Sequence, residues 1–253
     1  MLIKGVFSRG RLRAAPRRSR GEDLNIYLKY RPFRAYIVGS TTLRFSWEND
    51  MASSKNAKSG SVTNCISLDS FTFDELIEAL GGSSRRMRQN AAHELSVRYV
   101  ANPDELIPFV ELLIQSLDLP ESRTRWDCLD LLTAIAAKRP ELCTDALAGT
   151  EIALFDDEGA GPLRLAAVRF LCTFGSTSPE RSDRVWGLLD EAIQCYHGDP
   201  EYQDMMSALL DFSVADLSDI VKEAFAERMK FDAENNRGLT RTRSQRIIDN
   251  LSR

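Results

Sequence analysis

From Thr72 onward, apolar residues recur at intervals of three and four, the spacing of one helical face. The clearest stretch is Ile107–Pro140, IPFVELLIQSLDLPESRTRWDCLDLLTAIAAKRP, which reads as two helices joined by a short turn. The pattern predicts a short helix over Asp74–Leu80, started near Thr72 or Phe73 and ended by Gly81-Gly82. Ser83 or Ser84 then caps a helix from Arg85 to about Val100, broken by Asn102-Pro103. The next helix is expected from Asp104 to about Leu117, with Pro108 in its first turn, where a missing N–H is tolerated. Ser122 or Thr124 starts a helix to Ala137. The third unit opens at Pro140 with a weak helix, Glu141–Leu147, a stop at Gly149 and a second piece to Phe155; a strong helix then runs from Pro162 to Phe174. Helices from Pro179 to Tyr196, Glu201 to Phe212, Asp216 to Met229 and Thr240 to Leu251 complete the chain.

Superposing the second helix of each unit gives a register. Arg88–Leu95 matches Arg125–Leu132 at an offset of 37, then Arg164–Leu171 at 39, then, more weakly, Gln203–Leu210 at 39. Pro103, Pro140 and Pro179 keep the same beat. A period near 40 built from two helices is the mark of a helical solenoid, in which one unit cannot bury its own apolar face and neighbours must stack. The columns 91/128/167/206 (Ala, Cys, Ala, Met), 95/132/171/210 (all Leu) and 94/131/170/209 (Glu, Leu, Phe, Leu) are predicted to be core. Glu94 and Arg98 interrupt that face in the first unit, are four apart and are expected to pair, which marks an end cap.

The stretch Ile107–Ala137 resembles a HEAT/armadillo-type repeat. It has Pro108 in the first helix, Asp118 at the turn, Arg125 early in the second helix, and Cys128, Leu129, Leu132 and Ile135 after it. The resemblance spans roughly 73–229, is good in the second and third units and looser in the first and fourth, where Gln203 replaces the arginine. It implies a binding scaffold without cofactor or metal rather than an enzyme. In this class the second helices usually line the concave side. Their face opposite the core is Gln89, His93 and Ser96; Trp126, Asp130 and Thr133; Leu165, Arg169 and Cys172; Asp204, Ala208 and Asp211. The candidate partner-binding residues are therefore Gln89, His93, Trp126, Asp130, Leu165 and Arg169. Trp126 and Leu165 are apolar where a solvated face would be polar, and aromatics are enriched at binding hot spots; packing of Trp126 on an adjacent helix is the alternative. Arg88, Arg125 and Arg164 form a ladder expected to bind acids and carbonyls of neighbouring turns, with Asp118, Glu121, Asp127, Asp156 and Asp157 at hand.

Charge sharpens the partner class. Residues 1–50 hold eleven Lys/Arg against four Asp/Glu, a net +7; the whole chain is −4, which leaves −11 for 51–253. An acidic scaffold repels a phosphate backbone and favours a protein or peptide with a basic segment. HEAT-like enzymes, DNA-alkylation glycosylases and bilin lyases, set a competing precedent by resemblance; a glycosylase needs a basic groove, for which Trp126, Asp130 and Arg169 supply only a token set. The C-terminal arginines 237, 241, 243, 246 and 253 offer a third option, docking on nucleic acid or membrane, against the simpler reading of a capping helix seated by Ile247, Ile248 and Leu251.

Little points to chemistry. The two histidines, His93 and His197, lack partners at metal-ligand spacing, and Gly81-Gly82 lacks the lysine of a phosphate loop. Five cysteines without a CxxC pair read as reduced thiols of a cytoplasmic protein, mostly core or near-core. No run approaches eighteen apolar residues, so no membrane helix is expected. Residues 1–20 are Arg-rich without an acid: a transit peptide, a basic arm, or sequence upstream of a natural start at Met51, the last being favoured. Residues 24–47 hold enough alternating apolar residues for a lone hairpin, which is marginal in water. The expected whole is an all-α, right-handed α-solenoid of about four helix-pair repeats at 71–236, with a disordered or weakly structured basic arm at 1–70 and a capping helix at 237–253.

Overall fold

The structure, a computed structural model, describes residues 70–156 and 159–253. The expectations for the arm, for the Met51 start and for Asp157 lie outside the described residues. What is described falls in the compact unit Val62–Arg253.

Among the described residues ten α-helices follow one another: α1 Phe73–Gly81, α2 Arg85–Tyr99, α3 Val110–Gln115, α4 Ser122–Ala136, α5 Ala146–Leu154, α6 Gly161–Gly175, α7 Pro179–Cys195, α8 Tyr202–Phe212, α9 Asp219–Asn235 and α10 Gly238–Leu251. They pack sequentially as a solenoid. The even-numbered helices form one continuous layer, each touching the next, while the odd-numbered helices are more loosely connected to one another. The even helices are therefore the closer-packed side of the stack.

Local chemistry explains four of the helix starts. Thr72 caps α1 in a capping box: its Oγ1 accepts the Glu75 N–H at 3.3 Å and its own N–H donates to Glu75 Oε2 at 2.7 Å. Ser178 and Ser218 accept the Arg181 and Val221 N–H groups at the starts of α7 and α9. Pro162 and Pro179 sit in first turns, where no intrahelical donor is needed.

Several expectations fail locally. Ser84 precedes α2 without a side-chain cap bond, and α9 starts at Asp219 and runs to Asn235, beyond the expected end at Met229. The helix predicted from Asp104 to Leu117 is split into a 3-10 segment Pro103–Phe109, the short α3 and a 3-10 turn Ser116–Asp118. Pro108 lies inside the first of these, and its missing N–H prevents a regular α-ladder across Asp104–Pro108. Gly149, expected to stop a helix, lies inside α5 instead. A Cβ there would come within 2.8 Å of Leu117 Cβ, so glycine is required for the close approach of α5 to the turn before α4.

The predicted core columns are buried. Ala91, Cys128, Ala167 and Met206 are fully enclosed, as are Leu95, Leu132 and Leu171; Leu210, at the far end of that column, is half-buried. Leu131, Phe170 and Leu209 are buried, and Glu94 pairs with Arg98 at 2.9 Å on the first repeat, as expected. Val168 of α6, Leu189 and Ile193 of α7, and Met205 and Leu209 of α8 meet at one apolar junction. The even-helix pattern continues past the fourth unit: α10 packs on α9 and α8, and Ser244 and Ile247 are buried in it.

Candidate functional site

The even-helix layer has two features that a sequence register alone suggested: a ladder along the helix starts, and an open row along the outward face.

The ladder joins each repeat to the next. Arg88 Nη2 donates to Glu121 Oε1 at 2.5 Å, and Arg125 Nη1 to Asp156 Oδ2 at 2.6 Å. Arg164 Nη1 donates to Glu201 Oε1 at 2.9 Å, while its guanidinium lies 5.0 Å from the Tyr196 ring centre. Where the sequence changes to Gln203 the rung persists with neutral partners, Gln203 Nε2 donating to Thr240 Oγ1 at 2.7 Å. Arg243 Nη1 adds a bond to Gln203 Oε1 at 2.9 Å. Arg88 and Arg164 also close their own turns, on the carbonyls of Ser83 and Gly159. The ladder is thus structural, and each rung ties two repeats.

The open row is formed by the polar face of the same helices. Gln89 and His93 on α2, Trp126 and Asp130 on α4, and Arg169 on α6 are all half-buried. Trp126 packs against the core and keeps part of its ring at the surface. Leu165 differs: at 8% exposure it belongs to the core, and Cys172 beside it, at 4%, does too. The row continues through Asp204 and Ala208, half-buried, to exposed Asp211 on α8. Ser244 is buried as Met206 is, 38 positions on, and the same step places Thr242, Arg246 and Asp249 of α10 on the row.

Charge along the row is structured. His93 Nδ1 lies 3.7 Å from Asp127 Oδ1, and Arg123 Nε lies 3.8 Å from Asp127 Oδ2, so one buried carboxylate is flanked by the helix before it and by its own. Burial raises the Asp130 carboxyl to about 6; Arg169 on the next helix opposes that rise and Asp127 adds to it. Burial also raises Asp211. Asp130 is thus held in a partly dry position, where a nearby cation interacts more strongly than in water.

Cys65 lies outside the described residues; the described thiols are mostly buried. Burial, with Asp127 nearby, pushes Cys128 up to about 12; burial does the same to Cys143, and Cys172 is raised by burial and by Asp211. Three of the cysteines are buried and free, while Cys195 is exposed rather than near-core. Among the described residues no cluster suits a metal ion, and no helix is long and apolar enough to cross a membrane. His197 is engaged with Asp232 Oδ1 at 3.0 Å; the same carboxylate accepts from Tyr202 Oη at 3.2 Å and Asn236 Nδ2 at 2.7 Å. That cluster, which sequence spacing did not reveal, clamps α9 to the turn before α8.

The fold defines the class: an armadillo-like α-solenoid. Solved structures that share it include the following three. An engineered protein is 17% identical over 71% of this chain and 78% of its own, with a TM-score of 0.56. A computationally designed armadillo repeat protein for modular peptide recognition is 15% identical over 70% and 80%, with a TM-score of 0.55. A designed armadillo repeat protein in complex with the peptide (KR)4 is 14% identical over 70% and 80%, with a TM-score of 0.57. At such identities the likeness concerns the fold. No family profile and no curated protein sequence matches the chain.

Proposed function

We propose that the outward face of the even helices is a non-catalytic binding groove for an extended protein or peptide segment carrying basic residues. The observation that carries this reading is Asp130 beside half-buried Trp126: an acid kept in a partly desolvated position next to an aromatic on an otherwise close-packed helix. An acid there is costly to keep ionised and has no rung of the ladder to serve, so its use lies at the surface. Asp204 and Asp211 extend the acidic row, and the domain as a whole is acidic, which speeds encounter with a cationic chain. A designed armadillo repeat protein of similar fold is in complex with the peptide (KR)4, which supports this reading. The same acidity disfavours a nucleic-acid enzyme, which would meet a phosphate backbone with like charge.

The test is fluorescence anisotropy with a labelled alternating Lys-Arg octapeptide at low ionic strength. Binding is expected, weakened about tenfold by Trp126→Ala and by Asp130→Asn, and strengthened by Arg169→Glu, with folding of each variant checked by its melt. Absence of binding to the unmutated chain at 100-fold molar excess, or affinity unchanged in all three variants, rejects the groove.

A further inference from the structure

The row changes sign at its far end. Between α8 and α10 lies a groove of about 960 Å³, lined on the α10 side by Arg241, Arg246 and Arg253 and on the α8 side by Leu210 and Val214. Arg241, Arg246 and Arg253 are exposed, and among the described residues none of the three side chains makes an ion pair or hydrogen bond. Val214 is 69% exposed, an apolar surface with no cover. Two acids share the groove. Asp249 accepts from Gln245 Nε2 at 3.0 Å, and Asp211 sits on the opposite wall without an ion pair to the arginines among the described residues. The positive charge is local: residues 237–253 contain five arginines and one aspartate, in a chain whose residues 51–253 are otherwise strongly acidic. Of the other two arginines, Arg237 precedes α10 and Arg243 is bonded to Gln203 and belongs to the ladder.

We propose that this groove docks an acidic polypeptide segment, with carboxylates on Arg241, Arg246 and Arg253 and an aliphatic side chain on Leu210 and Val214. Guanidinium forks suit carboxylates bidentately, and the apolar wall favours a peptide over a ligand that is charged throughout. A short acidic peptide reaches the arginines without crossing the rest of the face. A nucleic acid or an anionic bilayer would lay further phosphates against the acidic row, where like charge repels them. Together with the basic-segment reading of the central row, on which it rests only for its orientation along the face, the groove gives the binding face a polarity: cationic residues over α4 to α8, anionic residues at α10.

The experiment uses the full chain and three labelled probes: a peptide alternating glutamate with valine, the Lys-Arg octapeptide and a single-stranded oligonucleotide of matched length. The Glu-Val peptide is expected to bind, to lose about tenfold in affinity in the doubly substituted chain Arg241→Glu/Arg246→Glu, and to weaken with added salt. Both positions are exposed, so the substituted chain should melt as the unmutated one does. Asp130→Asn should leave the Glu-Val peptide unaffected, which separates this groove from the central row. No binding of the Glu-Val peptide, or binding indifferent to the arginine substitutions, overturns the proposal whatever the Lys-Arg peptide does. Tighter binding of the oligonucleotide than of the Glu-Val peptide overturns the choice of occupant.

Discussion

At the scale of single residues, the informative positions are charges removed from water. Glu121 has its side chain 1% exposed and Arg88 14%, and the pair joins α2 to the start of α4. Deleting one partner leaves the other buried without compensation. Glu121→Ala is expected to cost roughly 3–5 kcal/mol, measured by urea unfolding, far more than an exposed pair such as Lys138–Asp104 would cost. Asp130 behaves in the opposite sense. Its folded-state carboxyl keeps its proton to about pH 6, whereas in the unfolded chain it releases it near the ordinary aspartate value of 3.8. Raising the pH between those values therefore favours unfolding, and the cost is present in full above pH 6. Asp130→Asn is expected to raise the melting temperature at pH 7, with a gain that shrinks as the pH falls from 6 towards 4. Affinity of the unmutated chain for the Lys-Arg peptide should increase as the pH is raised through that interval, because Asp130 ionises, and the increase should be lost in the variant.

At the scale of elements, glycines and prolines decide where helices run. Gly149 permits α5 to lie against Leu117, and Gly175 lets the end of α6 meet α7, where a Cβ would come within 2.5 Å of Val185 Cγ2. Helix propensity would favour alanine at either place, but there is no space for it. Gly149→Ala is expected to destabilise by about 1–3 kcal/mol, despite its better propensity, because the first side-chain atom of Leu117 is too close to move freely. A chemical denaturation curve checks it; an increase in stability would mean that α5 shifts easily. Helix boundaries set by local caps were legible: Thr72 with Glu75, Pro162 and Pro179 each mark starts that the structure keeps within a residue or two. The split of the third helix was not, because Pro108 and the neighbouring 3-10 turns compete through backbone geometry that apolar spacing does not encode.

At the scale of the whole molecule, stability is shared between neighbouring repeats. Leu132 is fully enclosed in α4, with repeats on both sides, whereas Leu251 is half-buried at the end of the stack. Leu132→Ala is expected to cost about 2–5 kcal/mol and to lower or broaden the single melt; Leu251→Ala should cost clearly less, because a terminal repeat has one neighbour. Differential scanning calorimetry of the two variants measures the contrast. Equal losses would mean that the stack does not unfold as coupled neighbours.

The repeat period, the core columns, the arginine ladder and the acidic balance were all determined by the sequence, because stacked helices oblige each unit to repeat the same apolar face at the same interval. The open row was legible as a register of positions, but not its composition. Leu165 sits in that register and is nevertheless core, while Arg169, one turn on in the same helix, stays half-buried. Only the tertiary structure decided which acids the ladder uses, Glu121, Asp156 and Glu201, and that Asp130 is not among them. It alone turned Arg241, Arg246 and Arg253 from a basic tail into one wall of a groove, because their facing wall comes from a helix some thirty-five residues earlier. Spacing along a chain fixes which side of a helix a residue occupies; what stands across from it depends on how the helices stack.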